Sequence, residues 1–226
     1  MAESYPTYVK TPTDCKTIKI KGTEIRSRRY LKAELKNKYH NKILFILMNP
    51  SKAGKTISDK TINKCAHTAF YDLSELKIGH FSIVNVYPFY ESNSSKLQEA
   101  LVTVRNTSMH FYYKELIENL KTIYSEIENA DYIVLCTGGM PDKIIDKEEY
   151  LFLVNTIHSY AETLKETVYL GKGDNNKGFI KGGRYSYHLC PNGNPRTINK
   201  LKLHKLENGQ FREISPENIF TLTNPL

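Results

Sequence analysis

Asn49, Pro50 and Ser51 follow directly on an uninterrupted apolar run at residues 43–48 (ILFILM), so the Asn49 amide stands at the end of a buried strand with little freedom. A fixed amide can hold a water molecule or read the edge of a base, although Asn-Pro-Ser is also a good turn. Asn85 lies inside a second apolar run, residues 81–86 (FSIVNV), where an amide is costly unless protein or ligand supplies its partners. Tyr87 and Phe89, just beyond, are placed either to stack on a base or to join the core. A third run, residues 132–137 (YIVLCT), stops at Gly138 and Gly139, which let a phosphate approach the backbone or simply end a strand. In residues 190–197 (CPNGNPRT), Asn194, Pro195, Arg196 and Thr197 precede Lys200, Lys202, His204 and Lys205. That loop is rigid, polar and cationic, which suits a phosphate as well as a solvated turn. Asp59, at the head of a helical pattern, is a candidate acid but sits where a helix cap is usual.

The elements that position these residues follow from periodicity. Short strands are expected at residues 17–21 and 29–35, separated by Gly22 and a basic patch of Arg26, Arg28 and Arg29. Ile62, Cys65, Ala66, Ala69, Phe70 and Leu73 recur at helical spacing from Asp59 onward. Residues 87–105 are too polar and irregular for regular structure throughout. Tyr112, Leu116, Ile117, Leu120, Ile123, Tyr124 and Ile127 define a second helix, and residues 147–165 a third. Short strands follow at 168–170 and 185–189, around a basic glycine-rich loop at 171–178 that lacks nucleotide-loop spacing, and 198–205 reads as a strand or a helix. Alternating strands and helices argue for a mainly parallel sheet with helices on both faces and a ligand at the strands' carboxyl ends.

With 226 residues and 40% hydrophobic content the chain suits a single core. No stretch reaches the roughly 18–20 apolar residues of a membrane span and residues 1–13 are polar, so a cytoplasmic protein without membrane attachment is expected. Cys15, Cys65, Cys136 and Cys190 form no CxxC pair, which argues against a zinc site or a disulfide framework, and Cys65 and Cys136 lie in apolar runs that read as core. The net charge of +8 is unevenly placed: residues 1–64 carry fifteen Lys/Arg against five Asp/Glu, and residues 115–166 carry four against eleven. Basic segments that meet in space would make a face for a polyanion; ordinary solvated faces are the alternative.

The segments LFILMNPSKA, the spaced Asp59, Thr61, Ile62 and Cys65, then IVNVYPF, Asn106 and GNPR resemble a bacterial family catalogued as a domain of unknown function. At one further remove their order is similar to that of the uracil-DNA glycosylases, with LMNPS in the water-positioning slot, Asn85 in the base-reading slot, YIVLCTGG in the third and GNPRT in the fourth. The resemblance implies a three-layer α/β/α fold with a four-stranded, mainly parallel sheet, in one domain over 1–226 with its core at 29–205 and an N-terminal extension at 1–28. It implies Asn49 as the catalytic residue, a base pocket of Pro50, Ser51, Asn85, Tyr87 and Phe89, and no metal or cofactor. DNA contacts would fall to Lys52, Lys55, Gly138, Asn194, Pro195, Arg196, Thr197, Lys200 and Lys202.

The departures from that pattern bear on chemistry. Thr137 replaces a Trp, and Thr197 stands nearest the place of a His that would stabilise the departing base anion, worth a few kcal/mol. His188 comes several residues early, and the first motif lacks an Asp to activate water. The expectation is therefore a pseudo-enzyme that binds single- or double-stranded DNA, or a DNA-mimicking inhibitor protein, without robust uracil excision. An active glycosylase on an unusual base and a binder of a nucleotide or small phosphorylated ligand are the alternatives. DNA binding requires Lys52, Lys55, Arg196, Lys200 and Lys202 to share one groove.

Overall fold

Strand β3 (Asn41–Leu47) carries Ile43, Leu44, Phe45 and Ile46 at 0% exposure, which is possible only if both faces of its sheet are covered. In the computed structural model, which describes residues 2–91, 96–141, 143–144, 146–174, 178–181, 184–214 and 219–223, β3 is the second of four parallel strands. Their order is β4 (Ile78–Asn85), β3, β5 (Tyr132–Leu135) and β6 (Thr167–Lys172). Antiparallel strands extend both edges. On one side β2 (Arg26–Glu34) pairs with β4 and β1 (Asp14–Lys19) with β2. On the other, β9 (Lys200–Glu207) pairs with β6, and β10 (Gln210–Glu213) and β11 (Ile219–Thr221) both pair with β9.

The four-stranded expectation thus describes only the parallel centre of a nine-stranded sheet. Its N-terminal part is no separate extension in space, since β1 belongs to the ladder and Val9 and Cys15 are buried. Residues 185–189 do not supply a strand of that sheet. Only Tyr185–Ser186 (β8) is extended, in a two-residue ladder with β7 (Ile180–Lys181). Residues 175–177 of the expected basic loop lie outside the described residues.

Alternation along the strands divides the core in two. Leu44, Ile46, Val84, Ile133 and Leu135 pack under α2 (Leu97–Thr107), α3 (Met109–Asn129) and α4 (Lys147–Lys165). Ile43, Phe45, Leu47, Phe81 and Ile83 face Ile62, Cys65 and Ala66 of α1 (Lys60–His67). The helix expected to run to Leu73 ends at His67, where the coil widens into a π turn at Thr68–Asp72. Most of α2 falls in the stretch read as irregular; it stops at Ser108, whose hydroxyl accepts the Phe111 N–H (3.2 Å) and starts α3. No described helix is long and apolar enough to cross a membrane.

Strand β2 contains a bulge. Lys16 pairs with Tyr30 and Thr17 with Arg28, so Arg29 has no partner on β1. Arg29 therefore shares the α3 side with Tyr30, while Arg28 points to the opposite face with Leu31 and Ala33. On the α3 side Glu115, 2% exposed, accepts from Arg29 Nε (3.0 Å), Arg29 Nη2 (2.7 Å) and Ser27 Oγ (2.8 Å). Glu115→Ala leaves Arg29 with Glu118 (3.4 Å) as its remaining carboxylate, and urea melts of this variant are expected to show a loss of about 1–3 kcal/mol.

Candidate functional site

A cavity of about 610 Å³ opens at the carboxyl ends of β3 and β5, a size common for small-molecule pockets. One wall continues β3: Met48, Asn49 and Ser51. Asn49 Nδ2 donates to the Glu91 carbonyl (2.6 Å), which fixes the amide, and its Oδ1 accepts no hydrogen bond among the described residues. Ser51 Oγ donates to Asp59 Oδ2, and Asp59 Oδ1 accepts the Ile62 N–H (2.9 Å). Asp59 is therefore the cap of α1, as its position suggested, and also a carboxylate on the cavity wall, 8% exposed.

The facing wall comes from the segment after β5 and from the β8 region. Gly138 adopts φ +79°, a left-handed conformation that costs a residue with Cβ about 1 kcal/mol or more. At Gly139 a Cβ would stand 2.9 Å from Lys181 Cε, so the bare backbone lets the lysine lie across it. His188 lines the same cavity; its Nδ1 accepts the Cys190 N–H (3.1 Å), which leaves the proton of the neutral ring on Nε2. Burial lowers its pKa to about 4, so it is a neutral donor at pH 7. Cys190, also on the wall, has its thiol pushed up to about 11 by burial, which makes it a poor nucleophile. Among the described residues no three His, Cys, Asp or Glu side chains converge to hold a metal ion.

Of the residues singled out from sequence, Asn49, Ser51, Asp59, Gly138, Gly139 and His188 line this cavity. Pro50 is buried beside it, its carbonyl accepting the Glu91 N–H (2.9 Å). Asn85 is in register with Leu47 but 0% exposed, with both amide atoms unpartnered among the described residues. Tyr87 and Phe89 belong to the core under α3 and α4 instead of a base pocket. Phe89 stacks on Tyr112 at 5.3 Å, and Tyr87 donates to Glu149 (3.2 Å), so both rings are satisfied within the protein.

Lys52 and Lys55 are exposed on the loop between Ser51 and Asp59. Asn194, Arg196 and Thr197 are exposed, and Pro195 half-buried, in the loop after Gly193, itself a wall residue. Lys200 is exposed where β9 begins, opposite Lys172. Lys202 is 5% exposed and paired with Glu213 (2.5 Å), so it is no part of a shared basic groove.

One residue was visible in the sequence only as part of a basic patch. Arg28 is 1% exposed and lines the cavity. Its Nη1 donates to the Ala53 carbonyl (3.0 Å), and its Nε is buried without a partner among the described residues. Glu91, Thr61 and Lys181 also line the cavity without having been candidates.

The chain is thus an α/β protein with a polar cavity at the carboxyl ends of parallel strands, the usual ligand position in such sheets. A family model described as "Protein of unknown function (DUF1643)" matches residues 28–177, and the chain belongs to that family. The matched stretch contains Arg28, Asn49, Asp59 and Gly138, whereas Lys181, His188 and Cys190 lie beyond it. Neither a curated protein nor a solved structure matches the chain.

Proposed function

We propose that the cavity is a hydrolase site that cleaves the N-glycosidic bond of a nucleotide unit, on a fold of the uracil-DNA glycosylase kind. The carrying observation is that Asn49, Asp59 and His188 line one cavity. The two groups that looked absent from the motifs, a carboxylate and an imidazole, come from the head of α1 and from the segment after β8. In this reading Asn49 Oδ1 orients a water molecule and Asp59 takes its proton as the oxygen bonds to the sugar carbon. The carbon–nitrogen bond breaks with its electron pair on the base, and the His188 Nε2–H stabilises that anion until it is protonated. A neutral imidazole suits this task because it donates a hydrogen bond without first losing a proton. Helices on both faces of a parallel centre support the fold part of the reading.

A second reading, the catalytically lapsed DNA binder, is favoured by the exposure of Lys52, Lys55 and Arg196 on loops that flank the cavity. One experiment separates the two. The protein is incubated with uracil-containing single- and double-stranded DNA and with free nucleotides, beside an Asn49→Ala control. Free base released by the wild type and lost in the control is the expected result. Strand binding that weakens steeply with salt, with no base released, would replace the first reading by the second.

A further inference from the structure

Arg28 is a buried cation that enters none of the ion pairs among the described residues. The two carboxylates on the same cavity do not neutralise it. Asp59 has both oxygens engaged, by Ser51 and by the Ile62 N–H, and no ion pair among the described residues joins Arg28 to Asp59 or to Glu91, which has interactions of its own. A guanidinium left unpaired in the interior is costly, and a ligand anion removes that cost. Further donors line the same cavity. The N–H groups of Gly138 and Gly139 have no acceptor among the described residues, and Lys181 lies across Gly139.

We infer that the cavity binds a ligand with a terminal phosphate, anchored by Arg28 and completed by Gly138, Gly139 and Lys181. The inference rests on the nucleotide-hydrolase reading and narrows its substrate to a monomeric nucleotide. A group that meets Arg28 has to enter the cavity, because the side chain is 1% exposed. A terminal phosphate brings one sugar with it, which fits a space of about 610 Å³. A phosphodiester inside a strand brings chain on both sides. Arginine matches such a phosphate with two parallel hydrogen bonds, a geometry lysine does not reproduce.

The test is calorimetric titration of the full chain with nucleoside 5′-monophosphates, with the corresponding nucleosides and with inorganic phosphate. Inorganic phosphate is expected to bind weakly, and at least one monophosphate about 10- to 100-fold more tightly than its nucleoside, the range for hydrogen bonds to a charged group. Arg28→Lys, which keeps the charge, is expected to remove most of that preference. If this variant does not fold, Lys181→Gln at an exposed side chain is expected to reduce the preference several-fold, and the wild-type comparison stands alone. Equal affinity for monophosphate and nucleoside, no binding of any monophosphate, or a preference unchanged in Arg28→Lys would each overturn the inference. Base release from DNA without monophosphate binding sinks this inference alone, and monophosphate binding without base release from any substrate sinks the hydrolase reading alone.

Discussion

Asp59→Asn is expected to lower the rate of base release at least 100-fold while the protein melts within a few degrees of the wild type. The two halves of this result have separate causes. Asn and Asp are about equally good helix caps, so the Ile62 N–H keeps its acceptor and α1 keeps its start. The lost group is the ionised oxygen that accepts a proton, and general-base catalysis of this kind contributes about 10²- to 10⁴-fold. Ser51 now faces an amide in place of a carboxylate, a change at the cavity wall that leaves the core alone. Matched measurements of rate and of thermal melting decide the matter. A variant that melts normally and retains its full rate would remove Asp59 from the chemistry.

Acid is expected to destabilise the protein as pH falls from about 6.5 toward 4. His158 is 2% exposed, its Nε2 has no partner among the described residues, and burial lowers its pKa to about 4. In the unfolded chain the same imidazole takes up a proton near pH 6.5. Unfolding therefore binds a proton between those values, so the stability from keeping the ring neutral is complete above about pH 6.5 and is lost as pH falls toward 4. At about 1.4 kcal/mol per pH unit the loss from His158 alone is about 3 kcal/mol. His188, His67 and His204 are shifted in the same direction by burial and add to the slope. Denaturant melts at pH 7, 5.5 and 4 measure it, and His158→Leu is expected to flatten the curve. A stability that is level from pH 7 to 4 would show that these rings are not held neutral.

The parallel centre was legible because its strands contain apolar stretches of strand length bounded by turn residues. Helices α3 and α4 were legible from the 3.6-residue recurrence of their buried faces. Strands β9 to β11 were not, because charged and apolar residues along Lys200–Glu207 fit a strand or a helix equally well, and only pairing with β6 decides. At the site, Asn49, Ser51 and Gly138 could be read because each directly follows a strand. Tyr87 and Phe89 also follow one, but bury their rings against α3 and α4, a choice no local pattern reveals. Arg28 was hidden for another reason. Counting back by twos from buried Ala33 and Leu31 assigns Arg29 to the cavity side, and the bulge shifts that assignment by one residue.

That bulge also decides what the start of β2 is fastened to. Beyond it, the first residues of β2 leave β4 and bond to the segment that follows β4: Arg28 N–H to the Pro88 carbonyl (2.7 Å), and Tyr90 N–H to the Arg26 carbonyl (2.8 Å). Arg28 and Glu91 therefore ride on one stitched unit. The opposite wall hangs on less, a two-residue ladder and the bond from Thr137 N–H to Ser186 Oγ (3.0 Å). The cavity therefore joins two separately built walls: the buried cation belongs to the antiparallel edge of the sheet, and the glycines and Lys181 belong to the far side.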